Sequence, residues 1–77
     1  MENLGEQSKR THGQFLRDVM SSRNMSITEI SAWSGIHQSA VERILLDQIP
    51  MTTEIAFRLS MATGISEKVW CTYIHKK

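Results

Sequence analysis

Seven polar residues near the middle of the chain have types and spacing that suit one kind of chemistry. They are Ser26, Thr28, His37, Gln38, Ser39, Glu42 and Arg43. On a helix anchored inward by Val41, Ile44 and Leu45, the outward positions are Gln38, Ser39, Glu42 and Arg43. Those side chains match base edges in a DNA major groove: glutamine pairs with adenine, arginine with guanine, and glutamate accepts from cytosine. Ser26, Thr28 and His37 stand at helix starts, where hydroxyls and free backbone N–H groups suit phosphate. The plainer reading is a solvated face on a small helix.

Other chemistries are poorly supplied. Cys71 and His75 are four apart, but two ligands do not make a zinc site. His12 and His37 have no ligand partners at suggestive spacing, so no metal is expected. Cys71 has no neighbour in sequence to act as an activating base. Glu29, Glu54 and Glu67 fall in first helical turns, where the helix dipole favours acid, which leaves no catalytic carboxylate pair. No serine lies in a nucleophile elbow. No catalytic residue and no cofactor are expected, and an enzyme is not the reading.

The elements that position these residues are marked by start and stop signals. Thr11 with Gln14, and Ser26 with Glu29, are spaced as capping boxes. Phe15, Leu16, Val19 and Met20 share the first helical face, and Ser21 to Asn24 end it. Ile27, Ile30 and Trp33 form the apolar side of the second helix, which Gly35 stops. The third helix covers residues 38–46. After Asp47, Gln48, Ile49 and Pro50, Thr52 caps a fourth helix with Ile55, Ala56, Leu59 and Ala62 inward. Gly64 closes it, and Ser66 caps a fifth with Val69, Trp70, Tyr73 and Ile74. Met20, Met25, Met51 and Met61 read as core filler. No stretch alternates with period two, so the expected fold is all-α with five short helices.

The short link around Gly35 makes the second and third helices a helix-turn-helix candidate. Ser31 is small where the two helices must cross, and Ile36, Val41 and Ile44 anchor the third helix. Composition fits a small binding module. The chain has 77 residues, 40% hydrophobic and 22% charged, with one cysteine and no basis for an internal disulfide. That points to a reducing compartment, and a cytoplasmic location is expected. Nine Lys and Arg against eight Asp and Glu give a net charge of +1, which excludes a massively basic binder. No apolar run is long enough to span a membrane. Residues 1–10 read as a flexible polar tail and residues 11–77 as the binding domain. Lys9 and Arg10 in that tail suit either an arm on the DNA backbone or plain solvation.

Over residues 11–74 the chain resembles the Xre, or lambda-repressor-like, helix-turn-helix family, and within it the HigA-type antitoxin branch. The resemblance is carried by His12-Gly13-Gln14-Phe15-Leu16-Arg17, by Gly35-Ile36-His37-Gln38-Ser39-Ala40-Val41, and above all by Met51-Thr52-Thr53-Glu54-Ile55-Ala56-Phe57-Arg58-Leu59 continuing into Thr63-Gly64-Ile65-Ser66-Glu67-Lys68-Val69-Trp70. It implies a five-helix lambda-repressor-like bundle and a homodimer on a palindromic operator in double-stranded DNA. It also implies repression of the chain's own operon and, in many members, neutralisation of a RelE-like toxin that cleaves messenger RNA. Carried over by position, Gln38, Ser39, Glu42 and Arg43 face the groove, and Ser26 and His37 face phosphate.

Two positions depart from the family pattern. Ile27 stands where a glutamine commonly braces the recognition helix. Leu46-Asp47-Gln48-Ile49 replaces a basic loop that holds phosphate. Phosphate contacts supply much of the affinity and its salt dependence. The departures therefore favour a rival reading, a protein-interaction module on a repressor scaffold. The expected dimer interface is Trp70, Tyr73 and Ile74 on the last helix, with Trp70 also suited to the core.

Overall fold

The structure is a computed structural model that describes residues 10–74. The described chain forms five helices: α1 (His12–Arg23), α2 (Ile27–Ser34), α3 (Gln38–Leu45), α4 (Thr53–Thr63) and α5 (Glu67–Cys71). No strand occurs among the described residues. Lys9 and His75 lie outside them, as does most of the expected tail.

The helix starts are chemical. The Thr11 and Ser26 side chains each accept from the N–H three residues on, and Gln14 and Glu29 reach back to the cap backbone. These reciprocal bonds satisfy N–H groups that the helix itself leaves free. Thr52 and Ser66 cap α4 and α5 through their hydroxyls. At the other end of α2, Gly35 adopts φ 78°, a left-handed conformation that costs glycine little.

α2 and α4 pack together, α5 packs on α4, and α3 contacts both α1 and α2. The core between them is Leu16, Val19, Ile30, Val41, Ile44, Met51, Ala56, Leu59, Ala62 and Trp70. Trp70 is 0% exposed and lies 4.9 Å, ring centroid to centroid, from Phe15. It has no surface for a second molecule, so of the three expected interface residues only the half-buried Tyr73 and Ile74 offer any. Tyr73 is itself stacked on Phe15.

Three apolar assignments are corrected, one of them Val69, which is 40% exposed on α5 while Trp70 beside it takes the inward position. Trp33 is 62% exposed, although threefold spacing placed it with Ile27 and Ile30. In an eight-residue helix, a third residue at that spacing has rotated about 120° from the first, and Ser34 takes the inward position instead. Met61 is 51% exposed, because Ala62 and Leu59 carry the buried side of α4. Trp33→Gln is accordingly expected to change stability by no more than about 0.5 kcal/mol. A thermal melt followed by circular dichroism checks this, and a clear loss would place Trp33 in the core after all.

Long-range bonds fix how the helices meet. The Arg23 guanidinium donates to the Thr63 carbonyl at the end of α4. The Arg58 Nη1 donates to the Ser34 carbonyl at 3.2 Å, while its Nε pairs with Glu54 one turn back. Arg58 thus caps the last turn of α2 from α4.

A candidate nucleic-acid interface on α2 and α3

Three residues, Gly35, Ile36 and His37, separate α2 from α3. The Ile36 backbone is satisfied by serine side chains of α2. The Ser34 hydroxyl accepts from the Ile36 N–H at 3.0 Å, and the Ser31 hydroxyl donates to the Ile36 carbonyl at 2.6 Å. Ser31 is therefore a bonded clamp as well as a small residue at a crossing. His37 caps α3 with its imidazole: Nδ1 accepts the Ser39 N–H at 3.3 Å.

Inward, α3 buries Val41 and Ile44 at 0% and 1% exposure. Outward, Gln38, Ser39, Glu42 and Arg43 are all exposed, and so are Ser26, Thr28 and His37. The apolar anchors and the polar set fall on opposite sides of α3 because they alternate with the helical period.

Within the polar set one contact crosses between helices. Gln38 Nε2 donates to Thr28 Oγ1 at 3.0 Å. Thr28 thus holds Gln38 in place, a link that Ile27 beside it, half-buried and packed on the core, has no polar atom to make. Ser26 is engaged in its capping box, with its oxygen turned to the Glu29 N–H. Glu42 and Arg43 make no ion pair with another described residue.

The cations are fewer than the sequence count suggests. Arg10 pairs with Asp18 at 3.1 Å, which ties it to α1. Arg23 and Arg58 are committed to helix ends. The loop after α3 is committed to α1. Asp47, at φ 62°, turns its carboxylate onto the start of α1. Oδ1 accepts the Gly13 N–H at 2.9 Å and Oδ2 accepts the Thr11 hydroxyl at 2.7 Å. His12 is buried beside it, and its Nε2 donates to the Ile49 carbonyl at 2.9 Å. Local sequence gave no sign of these bonds, since the partners are more than thirty positions apart.

Among the described residues, no three His, Cys, Asp or Glu side chains come together as metal ligands. No described helix is long and apolar enough to cross a membrane. Comparison with known family models and with characterised proteins returns no match to this chain.

Proposed function

We propose that the chain is a helix-turn-helix DNA-binding repressor that acts as a two-fold dimer in the cytoplasm. The observation that carries this reading is the two-sided build of α3. Val41 and Ile44 are locked in the core while Gln38, Ser39, Glu42 and Arg43 are exposed on the other side. The serine-clamped turn supports it, since it fixes the orientation of α3 against α2. In this reading α3 enters the major groove and α2 lies across the backbone. Gln38, held by Thr28, keeps its amide oxygen and a second N–H for an adenine edge, and Arg43 suits guanine. Repression follows from occlusion of the promoter by the bound dimer. The antitoxin role, with a RelE-like partner, rests on the resemblance to the HigA-type branch. A RelE-like reading frame beside the gene is the observation that tests it.

Arg43→Ala and Gln38→Ala are each expected to weaken binding to the chain's own upstream DNA by about 1–3 kcal/mol. Fluorescence anisotropy with labelled duplex measures this. Unchanged affinity for both variants would remove α3 as the reading element.

A second reading is favoured by one specific observation. Asp47 spends its carboxylate on the start of α1, in the loop where a base would hold phosphate. A protein-interaction module that no longer grips DNA is consistent with that. Salt dependence separates the two: a steep fall in affinity with salt supports DNA binding, and no binding at low salt supports the module.

A further inference from the structure

We infer that Thr28 decides which purine Gln38 reads, by fixing which atoms of the Gln38 amide are left to face a base. The role rests on the proposed DNA-binding reading, to which it adds a positioning residue on α2. Gln38 opens α3, and Thr28 stands in the first turn of α2. Their side chains meet at 3.0 Å, with Gln38 Nε2 donating to Thr28 Oγ1. A primary amide carries two donors on its nitrogen and an acceptor oxygen. With one N–H spent on Thr28, Gln38 keeps the other N–H and its oxygen. That pair matches adenine, which offers an acceptor at N7 and a donor at N6. Turned end for end, the amide would spend its oxygen on the Thr28 proton and present only donors. Donors alone match guanine, whose N7 and O6 both accept. The choice of purine therefore follows from whether the Thr28 hydroxyl accepts from Gln38 or donates to it.

The direction is set by where the hydroxyl sends its own proton. Thr28 is exposed, and among the described residues its Oγ1 donates to no other group. The neighbouring acid, Glu29, accepts from the Ser26 N–H at 2.9 Å and makes no bond to the Thr28 hydroxyl. With α2 across the DNA backbone, the groups offered to this proton are phosphate oxygens, which only accept. A hydroxyl that gives its proton to phosphate is left to accept from Gln38, which is the direction found in the structure. The backbone contact thereby dictates the base contact. A short β-branched side chain suits the task, since its stiff χ1 holds the oxygen in one place. Ile27, one position earlier, has no polar atom to do this.

Selection of binding sites from a duplex library with a randomised core tests the assignment. Gln38→Ala marks the base pair concerned as the one whose preference it abolishes. There the wild type is expected to prefer adenine to guanine by about fivefold or more. Thr28→Val keeps the side-chain shape and removes the hydroxyl. It is expected to bring that ratio to within about twofold of one, with the preferences at other positions and the helical spectrum unchanged. Thr28→Ser keeps the hydroxyl and is expected to retain the adenine preference, which a role in packing alone would not predict. A valine variant that still prefers adenine as the wild type does would overturn the assignment. So would a serine variant that behaves as the valine one, a wild type that prefers guanine at that base pair, or a Gln38→Ala variant that loses no preference. Each of these leaves DNA binding itself standing. Recovery of no preferred sequence by the wild type would instead remove the DNA-reading function, and the role of Thr28 with it.

Discussion

Trp70→Ala is expected to strip the chain of most of its stability, leaving up to about half of it unfolded at room temperature. Trp70 is the largest fully buried side chain in the molecule, and it packs against Phe15 from α1 and closes α5 over the core. Truncating a buried tryptophan to alanine costs about 3–5 kcal/mol, from lost transfer energy and from the cavity left behind. A small domain has a total stability near the low end of about 5–15 kcal/mol, so that loss consumes most of it. Trp70→Phe should behave quite differently. The indole Nε1 is buried and has no hydrogen-bond partner in the described structure. An unpaired buried donor carries a penalty of about 1–3 kcal/mol, which phenylalanine removes as it gives up some packing. The two effects oppose each other, and the expected net change is under about 2 kcal/mol. Urea melts of both variants check this. A phenylalanine variant as unstable as the alanine one would show that the indole N–H is bonded in solution.

Gly13→Ala is the second large effect, and its cause is backbone rather than core. A Cβ at Gly13 would lie 2.8 Å from the Ile44 carbonyl oxygen and 2.8 Å from Asp47 Oδ1, and it would press on the Leu45 carbonyl as well. Two of these atoms belong to the end of α3 and have no rotamer to move to. The same residue's N–H is held by Asp47, so a shift of α1 to relieve the clash also lengthens that bond. Overpacking of this kind costs about 1–3 kcal/mol, which outweighs the better helix propensity of alanine. In a domain of this size each kcal/mol lowers Tm by about 4–8 °C. A melting temperature equal to or above that of the wild type would show that α1 and α3 do not approach this closely.

The helix count, four of the five start signals and the stops at Gly35 and Gly64 were readable in the sequence because each is local chemistry. A hydroxyl reaches the N–H two or three residues on, and glycine takes the left-handed turn at Gly35. The outward and inward sides of α3 were readable for the same reason, since Val41 and Ile44 repeat with the helix. What failed was tertiary. Trp33 and Met61 were assigned to the core by periodicity, but which side of a short helix is buried depends on its neighbours. Arg58 on the Ser34 carbonyl, Arg23 on the Thr63 carbonyl and Asp47 on the start of α1 left no trace in spacing, because each joins segments at least twenty positions apart. Asp47 in particular reads in sequence as a missing base and stands in the fold as a helix cap. The outward polar set was legible as a set. The bond from Gln38 to Thr28 was not, for it depends on how α2 crosses α3.

The serine clamp on Ile36 has an entropic consequence. Both backbone groups of Ile36 are bonded to side chains of α2, and Arg58 holds the Ser34 carbonyl just before the turn. Segments that fold as they bind give up backbone freedom at that moment, at about 1–2 kcal/mol per residue. In this chain the turn has already surrendered that freedom during folding. A ligand that lies across α2 and α3 has only exposed side chains left to still, and more of its contact energy is kept as affinity.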